Sequence, residues 1–181
     1  MYASVNAMKK FLSLLTISLF LVSVACIAGE SVNGVRMLAA HNQVRIRHRI
    51  PPMYWSPSLA KAAAGWAQHL ALQRGCAMQH AQGTGQGENL FWASAVTWSD
   101  GRRDLQSVTA EQVVKSWAAE EADYNYAANR CRSGKECGHY TQIVWKTSRE
   151  LGCAMRTCRD KSQIWVCRYY PPGNWVGERP Y

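Results

Sequence analysis

The sequence predicts an α+β domain, helices first and a strand hairpin last. Three observations carry that reading. Apolar residues recur at helical spacing in three stretches between Ser31 and Tyr124, two short apolar runs near the C-terminal end bracket the turn-forming Arg159-Asp160-Lys161-Ser162, and six cysteines follow an apolar leader.

The leader comes first. Lys9 and Lys10 precede an uncharged run from Phe11 to Ala28, the basic-then-apolar layout of a secretory signal. Small residues at Ser23, Ala25, Ala28 and Gly29 favour its removal over retention as an anchor. Val22-Ser23-Val24-Ala25-Cys26 resembles a loose bacterial lipobox, but Ser23 stands where leucine is usual, which favours ordinary cleavage. The reading is a signal peptide over residues 1–28 and one domain over 29–181, placed outside the cell, or in the periplasm or on a membrane as a lipoprotein if the source is bacterial. No membrane-spanning segment is expected after processing. The leader takes two of the 21 basic residues and none of the 12 acidic ones, so the body keeps 19 basic side chains and a net charge of +7. That charge favours anionic partners. Its scatter gives no specific nucleic-acid signal.

The first helix is expected from about Ser31 to His48, with Val35, Leu38, Asn42 and Arg45 on one face and Pro51-Pro52 ending it. A second starts at Pro57 behind Ser56, shows Leu59, Ala63, Trp66 and Leu70 on one face, and closes near Gly75. A glycine-rich loop with His80 follows, then Glu88-Asn89 against Leu90-Phe91-Trp92, a setting in which Glu88 is expected to be at least partly buried. The third helix begins at Thr109, with Gln112 placed for a capping box and Val113, Trp117, Glu120 and Tyr124 on one stripe. A carboxylate on a buried stripe is costly unless paired, ligated or protonated, so Glu120 is either hydrogen-bonded to backbone amides or part of a site. The runs 151–156 and 163–169 read as a hairpin, and Pro171-Pro172-Gly173-Asn174-Trp175 as an ordered loop.

The six body cysteines are Cys76, Cys131, Cys137, Cys153, Cys158 and Cys167. Their even number behind an export signal implies three disulfides. Only Cys153 and Cys158 have the short gap of structural zinc ligands and no second such pair exists, so a zinc knuckle is disfavoured. Counting alone leaves all fifteen pairings open.

Four separated stretches then stand in order: Gly87-Glu88-Asn89-Leu90, Trp117-x-x-Glu120-x-x-x-Tyr124, Gly138-His139-Tyr140-Thr141-Gln142-Ile143-Val144-Trp145, and Tyr170-Pro171-Pro172-Gly173-Asn174-Trp175. Together they resemble the signatures of the CAP superfamily (cysteine-rich secretory, antigen-five and pathogenesis-related type-one proteins; the SCP domain) from about Leu38 to Tyr181. The closing sequence and the cysteine layout are most similar to the plant-type pathogenesis-related branch, although Trp92 to Ser107 is longer than that branch leads one to expect.

The resemblance implies a three-layer α-β-α sandwich around a small, mostly antiparallel sheet, with Gly138 to Trp145 as a short helix running into a strand. It implies the bridges Cys76–Cys158, Cys131–Cys137 and Cys153–Cys167. It also implies a shared cleft of His80, Glu88, Glu120 and His139, supported by Asn89, Tyr124 and Gln142. Such a set can bind zinc or another divalent cation; a metal-free hydrogen-bonded cluster is the alternative. No organic cofactor is implied.

Two functions compete. One is a monomeric, non-catalytic recognition or defence-type module binding a lipid, sterol, glycan or protein. The other is a metal-dependent hydrolase, protease or esterase, with Glu88 or Glu120 as base. The sequence has no serine elbow and no helical His-Glu-x-x-His, and each body cysteine has a disulfide partner in the implied pairing, which puts recognition ahead. Tyr124-Asn125-Tyr126 supplies only part of the aromatic loop associated with lipid binding, since Cys131 stands where a third aromatic would follow.

Overall fold

The computed structural model describes residues 32–181. The expected signal segment, Cys26 included, lies outside them. In chain order the elements are α1 (Gly34–Arg47), β1 (Tyr54–Trp55), α2 (Pro57–Gln73), β2 (Gly87–Ala93), β3 (Val96–Thr97), β4 (Arg103–Asp104), α3 (Ala110–Ala118), a 3-10 turn (Ala119–Asp123), β5 (Tyr124–Asn125), β6 (Arg130–Cys131), α4 (Gly138–Ile143), β7 (Glu150–Thr157) and β8 (Gln163–Tyr170). The main sheet has the order β1-β7-β8-β2. Only the β1–β7 pairing is parallel, and β2 forms one edge.

The pleat of the hairpin sorts its side chains between two cores. Leu151, Cys153, Met155, Trp165, Cys167 and Tyr169 face α1, α3 and α4. Ile164, Val166 and partly buried Ala154 face Ala63, Ala67 and Leu70 of α2. This period-two division between a three-helix layer and a single helix is the α-β-α sandwich. The α2 layer lies very close at one point: a Cβ on Gly152 would sit 2.1 Å from the Ala60 nitrogen, so a strand position facing the helix has to be glycine. Disulfides join Cys76 to Cys158 and Cys131 to Cys137, and Cys153 to the directly opposed Cys167 across the hairpin.

Several expectations shift in detail. Helix α1 starts later than Ser31, at Gly34, behind Asn33, whose side chain accepts from the Arg36 amide. Its buried face is Met37, Ala40, His41, Val44 and Arg45; Val35 points to solvent, because the apolar stripe is rotated from the one expected. Ser56 stands at the start of α2, but its hydroxyl meets Ser58 instead of capping the helix. The capping box at Thr109 and Gln112 forms. Beyond it α3 ends at Ala118, so Glu120 sits on the tighter 3-10 turn and Tyr124 opens β5. After α4 the chain turns instead of running into a strand; β7 begins only at Glu150. The long stretch after Trp92 folds into the β3–β4 hairpin, where Trp98 donates to Asp104.

Arg45 fixes α4. Its side chain is fully buried, yet no carboxylate meets it. Nε donates to Pro51 O (2.8 Å), Nη1 to Ile143 O and Trp145 O (both 2.8 Å), and Nη2 to Ser148 O (3.0 Å). Burial lowers its pKa only to about 10, so it stays cationic at neutral pH, beside the partly negative C-terminal end of α4.

The Cys76–Cys158 bridge closes an 82-residue separation, the longest of the three. Replacing both cysteines by serine is expected to cost roughly 4 kcal/mol in denaturant unfolding by the loop-entropy relation. A loss below about 1 kcal/mol would show that this loop is already ordered in the unfolded chain.

Candidate functional site

Helix α4 has six residues and no side-chain cap at its N-cap Cys137. Glu120 takes that role from the 3-10 turn. Its Oε2 accepts from the amides of His139 (3.0 Å) and Tyr140 (3.1 Å), while Oε1 meets His139 Nδ1 at 2.6 Å. A carboxylate at the positive end of a helix is electrostatically favoured, and this one also sets the orientation of the imidazole beside it. The His139 ring stacks on Trp117, 11° from parallel, and Trp117 is anchored through Nε1 to Leu90 O at 2.9 Å.

A second carboxylate–imidazole pair comes from the β2 edge. Register places Glu88 opposite Arg168, and both side chains are buried, 6% and 3% exposed. Arg168 Nη2 lies 2.9 Å from Glu88 Oε2, out of line for a hydrogen bond, so the contact is an ion pair. Glu88 Oε1 accepts from the Ala81 amide (3.2 Å) and meets His80 Nδ1 at 2.6 Å. That hydrogen bond raises the His80 pKa. Among the described residues, Nε2 of neither His80 nor His139 makes a hydrogen bond; each ring is engaged through Nδ1.

The two pairs meet in one cleft of about 300 Å³, lined by His80, Glu88, Asn89, Glu136, Cys137, Gly138, His139 and Asn174. Three of the four predicted cavity residues line it; Glu120 stands behind His139. Asn89 donates through Nδ2 to His139 O and Tyr169 Oη, both at 3.0 Å, tying β2 to α4. Gln142 is buried on the far side of α4, where Oε1 accepts from the Gly173 amide and Nε2 donates to Ser148 Oγ. Tyr124 lines a neighbouring cleft with Thr141, Trp145 and Trp175, and bonds Asn129 at 2.6 Å.

The sequence reading missed Glu136, an exposed carboxylate that shares the cleft. Ligand atoms of Glu120, Glu136 and His139 all lie within 4.8 Å of one another. It also missed the supports. His41 contacts Met37 O through Nδ1 (2.8 Å) and Tyr169 Oη through Nε2 (2.8 Å). A carbonyl can only accept, so Nδ1 carries the proton and Tyr169 donates to Nε2 while accepting from Asn89. The cleft wall therefore rests on an ordered chain, Asn89 to Tyr169 to His41 to Met37. The clue in the sequence was a histidine on the buried face of an amphipathic helix.

This layered fold belongs to a known class. The model of the Cysteine-rich secretory protein family, CAP, matches residues 38–169, and the chain belongs to that family. The STS14 protein of Solanum tuberosum is 41% identical over 145 residues, covering 80% of this chain and 63% of that protein; the match thus spans less than two thirds of that relative. Pathogenesis-related leaf protein 4 of Solanum lycopersicum is 42% identical over 144 residues, 80% of each chain. A solved structure of NaASP2 with Zn2+ has a TM-score of 0.61 at 25% identity, covering 82% of this chain and 87% of that one. No described helix is long and apolar enough to cross a membrane.

His41 makes the cleft wall sensitive to acid. Full burial depresses its pKa from 6.5 to about 4. Between those values the unfolded chain binds the extra proton, so His41 costs nothing above pH 6.5 and removes stability as pH falls towards 4, by about 3 kcal/mol in full. Denaturant titrations at neutral pH and near pH 4 should show this loss, and His41→Gln should show less of it. An equal acid sensitivity in both proteins would assign the effect elsewhere.

Proposed function

We propose that the protein is exported, in keeping with its leader, and acts as a non-catalytic recognition module of the pathogenesis-related type whose cleft reversibly binds zinc or a similar divalent ion. The observation that carries this reading is the shared arrangement of His80 and His139. A carboxylate holds each ring at Nδ1, which leaves Nε2 as the coordinating nitrogen; carboxylate–imidazole pairing of this kind orients metal-binding histidines and raises their basicity. The solved relative with Zn2+ supports the choice of ion. Bound there, the cation would supply charge and a rigid link between the β2 edge and α4, with no organic cofactor involved.

The engagement of both predicted carboxylates favours recognition over hydrolysis. Glu88 accepts from His80 and Ala81 and pairs with Arg168; Glu120 accepts from His139 and two amides. A general base needs a free lone pair within reach of the attacking water; Glu88 Oε2, which accepts no hydrogen bond, is buried against the Arg168 guanidinium and away from solvent. The lipid, sterol, glycan or protein that the module recognises would meet the loops around the cleft, where Asn174, Trp175 and Tyr126 are exposed. We take a monomer as the working unit.

Calorimetric titration with zinc tests the site. The wild type should bind, and His80→Ala and His139→Ala should each weaken binding at least about tenfold. Affinity should fall as pH drops through the imidazole range, because a proton on Nε2 excludes the metal. Equal binding by both variants would make the cluster a hydrogen-bond network only, and cleavage of ester or peptide substrates lost in Glu88→Gln would favour a hydrolase instead.

A further inference from the structure

The two glutamates that the signature motifs supply are already used as hydrogen-bond acceptors, so the cleft's free anionic donor has to come from elsewhere. Glu136 qualifies. It lines the same cleft as His80 and His139, its side chain is exposed, and among the described residues it makes no recorded hydrogen bond or ion pair. It is also held in place: the next residue, Cys137, is bridged to Cys131 and is the N-cap of α4. The backbone of Glu136 is thus tied to the helix that carries His139.

A carboxylate oxygen of Glu136 lies within 4.8 Å of both a His139 ring nitrogen and a Glu120 oxygen; His80 is outside that group and shares only the lining of the cleft with it. Two ligand atoms bound to one zinc ion stand about 4.2 Å apart at most, since each bond is about 2.1 Å. The difference is within reach of a rotation of an exposed side chain. Without a cation, this arrangement keeps two carboxylates close together, a repulsion that a bound ion would relieve, and among the described residues no ion pair joins Glu136 to a cation.

We propose that Glu136 is the third protein ligand of the cation held by His80 and His139, and that its oxygen biases the cleft towards harder divalent ions than two imidazoles alone would select. The inference rests on the reading of this cleft as a divalent-cation site. Glu120 is the less suitable oxygen donor, because both its oxygens are engaged, Oε2 by the two amides that begin α4 and Oε1 by His139 Nδ1. Two nitrogens and one carboxylate make a three-ligand set that leaves positions open for water or for a ligand group. Imidazole pairs suit zinc and copper, whereas added carboxylate improves the site for manganese and magnesium.

The test titrates zinc and manganese separately into the mature chain and its Glu136→Gln, Glu136→Ala and Glu178→Gln variants. Near-ultraviolet circular dichroism checks folding, which an exposed position should leave intact. Glu136→Gln should weaken zinc at least about tenfold and manganese by more, while Glu178→Gln, a charge control, should match the wild type. The loss should persist in roughly 0.5 M salt, where the Debye length is only about 4 Å and the field of an exposed charge is screened. Wild-type zinc affinity in Glu136→Gln, or a deficit that disappears at high salt, would remove Glu136 from the ligand set while leaving the histidine site intact. Failure of the wild type itself to bind zinc would overturn the metal reading together with this one.

Discussion

The position of α4 depends on two charges placed at its ends by other parts of the chain. A six-residue helix is too short to hold its shape alone. Here Glu120 accepts the amides at one end, and Arg45 from α1 donates to the carbonyls at and beyond the other. The signs match the helix dipole at both termini. The buried guanidinium gives four hydrogen bonds to neutral carbonyls, so desolvation is met by many partial charges instead of one carboxylate. Removing it would leave those carbonyls buried without a donor, at about 1–3 kcal/mol each. His139, the turn to Ser148 and the attachment of the tail all take their positions from this clamp.

The cleft separates orientation from contact. Its buried pair, Glu88 with Arg168 across adjacent strands, holds things still, and half-buried Glu120 does so at the helix start. Charges this deep are tolerated only when paired, and replacing one partner alone leaves the other uncompensated. The exposed members are His80, Glu136 and Asn174, which meet solvent and whatever enters. Rigid support thus stands behind adaptable contacts.

What was legible in the sequence was local. The capping box, the hairpin and the even cysteine count each depend on residues a few positions apart or on a simple tally. Glu120 was singled out for a reason that the fold replaces: it does not continue the α3 stripe, because the helix tightens after Ala118, and its partners are amides of α4 some twenty residues on. Arg45 was placed on one face of the first helix, but nothing local set it apart from the other basic side chains as one that would be fully buried. Its burial follows from α1 packing against the turn after α4, a contact about a hundred residues apart in sequence. Arg168 likewise stands opposite Glu88 only once β2 and β8 are in register, and Glu136 showed nothing local beyond its place next to a cysteine.

The signature stretches themselves owe much to packing. A Cβ on Gly87 would lie 2.2 Å from Gln142 Oε1, and one on Gly173 would lie 2.5 Å from Trp145 Cγ, so the two glycines let backbone approach α4 and the turn that follows it. Gln142 accepts from the Gly173 amide and donates to Ser148 Oγ, which donates on to Pro171 O; Asn89 joins β2 to the carbonyl of His139. Asn174 takes a positive φ, which asparagine tolerates, and donates to Gly138 O. These residues therefore assemble a frame, and the chemistry offered by that frame depends on what the adjoining loops place at its mouth. In this chain the loop between Cys131 and Cys137 places a glutamate there, and a change of residue at that one position alters the charge of the cleft without disturbing any bond that holds the frame together.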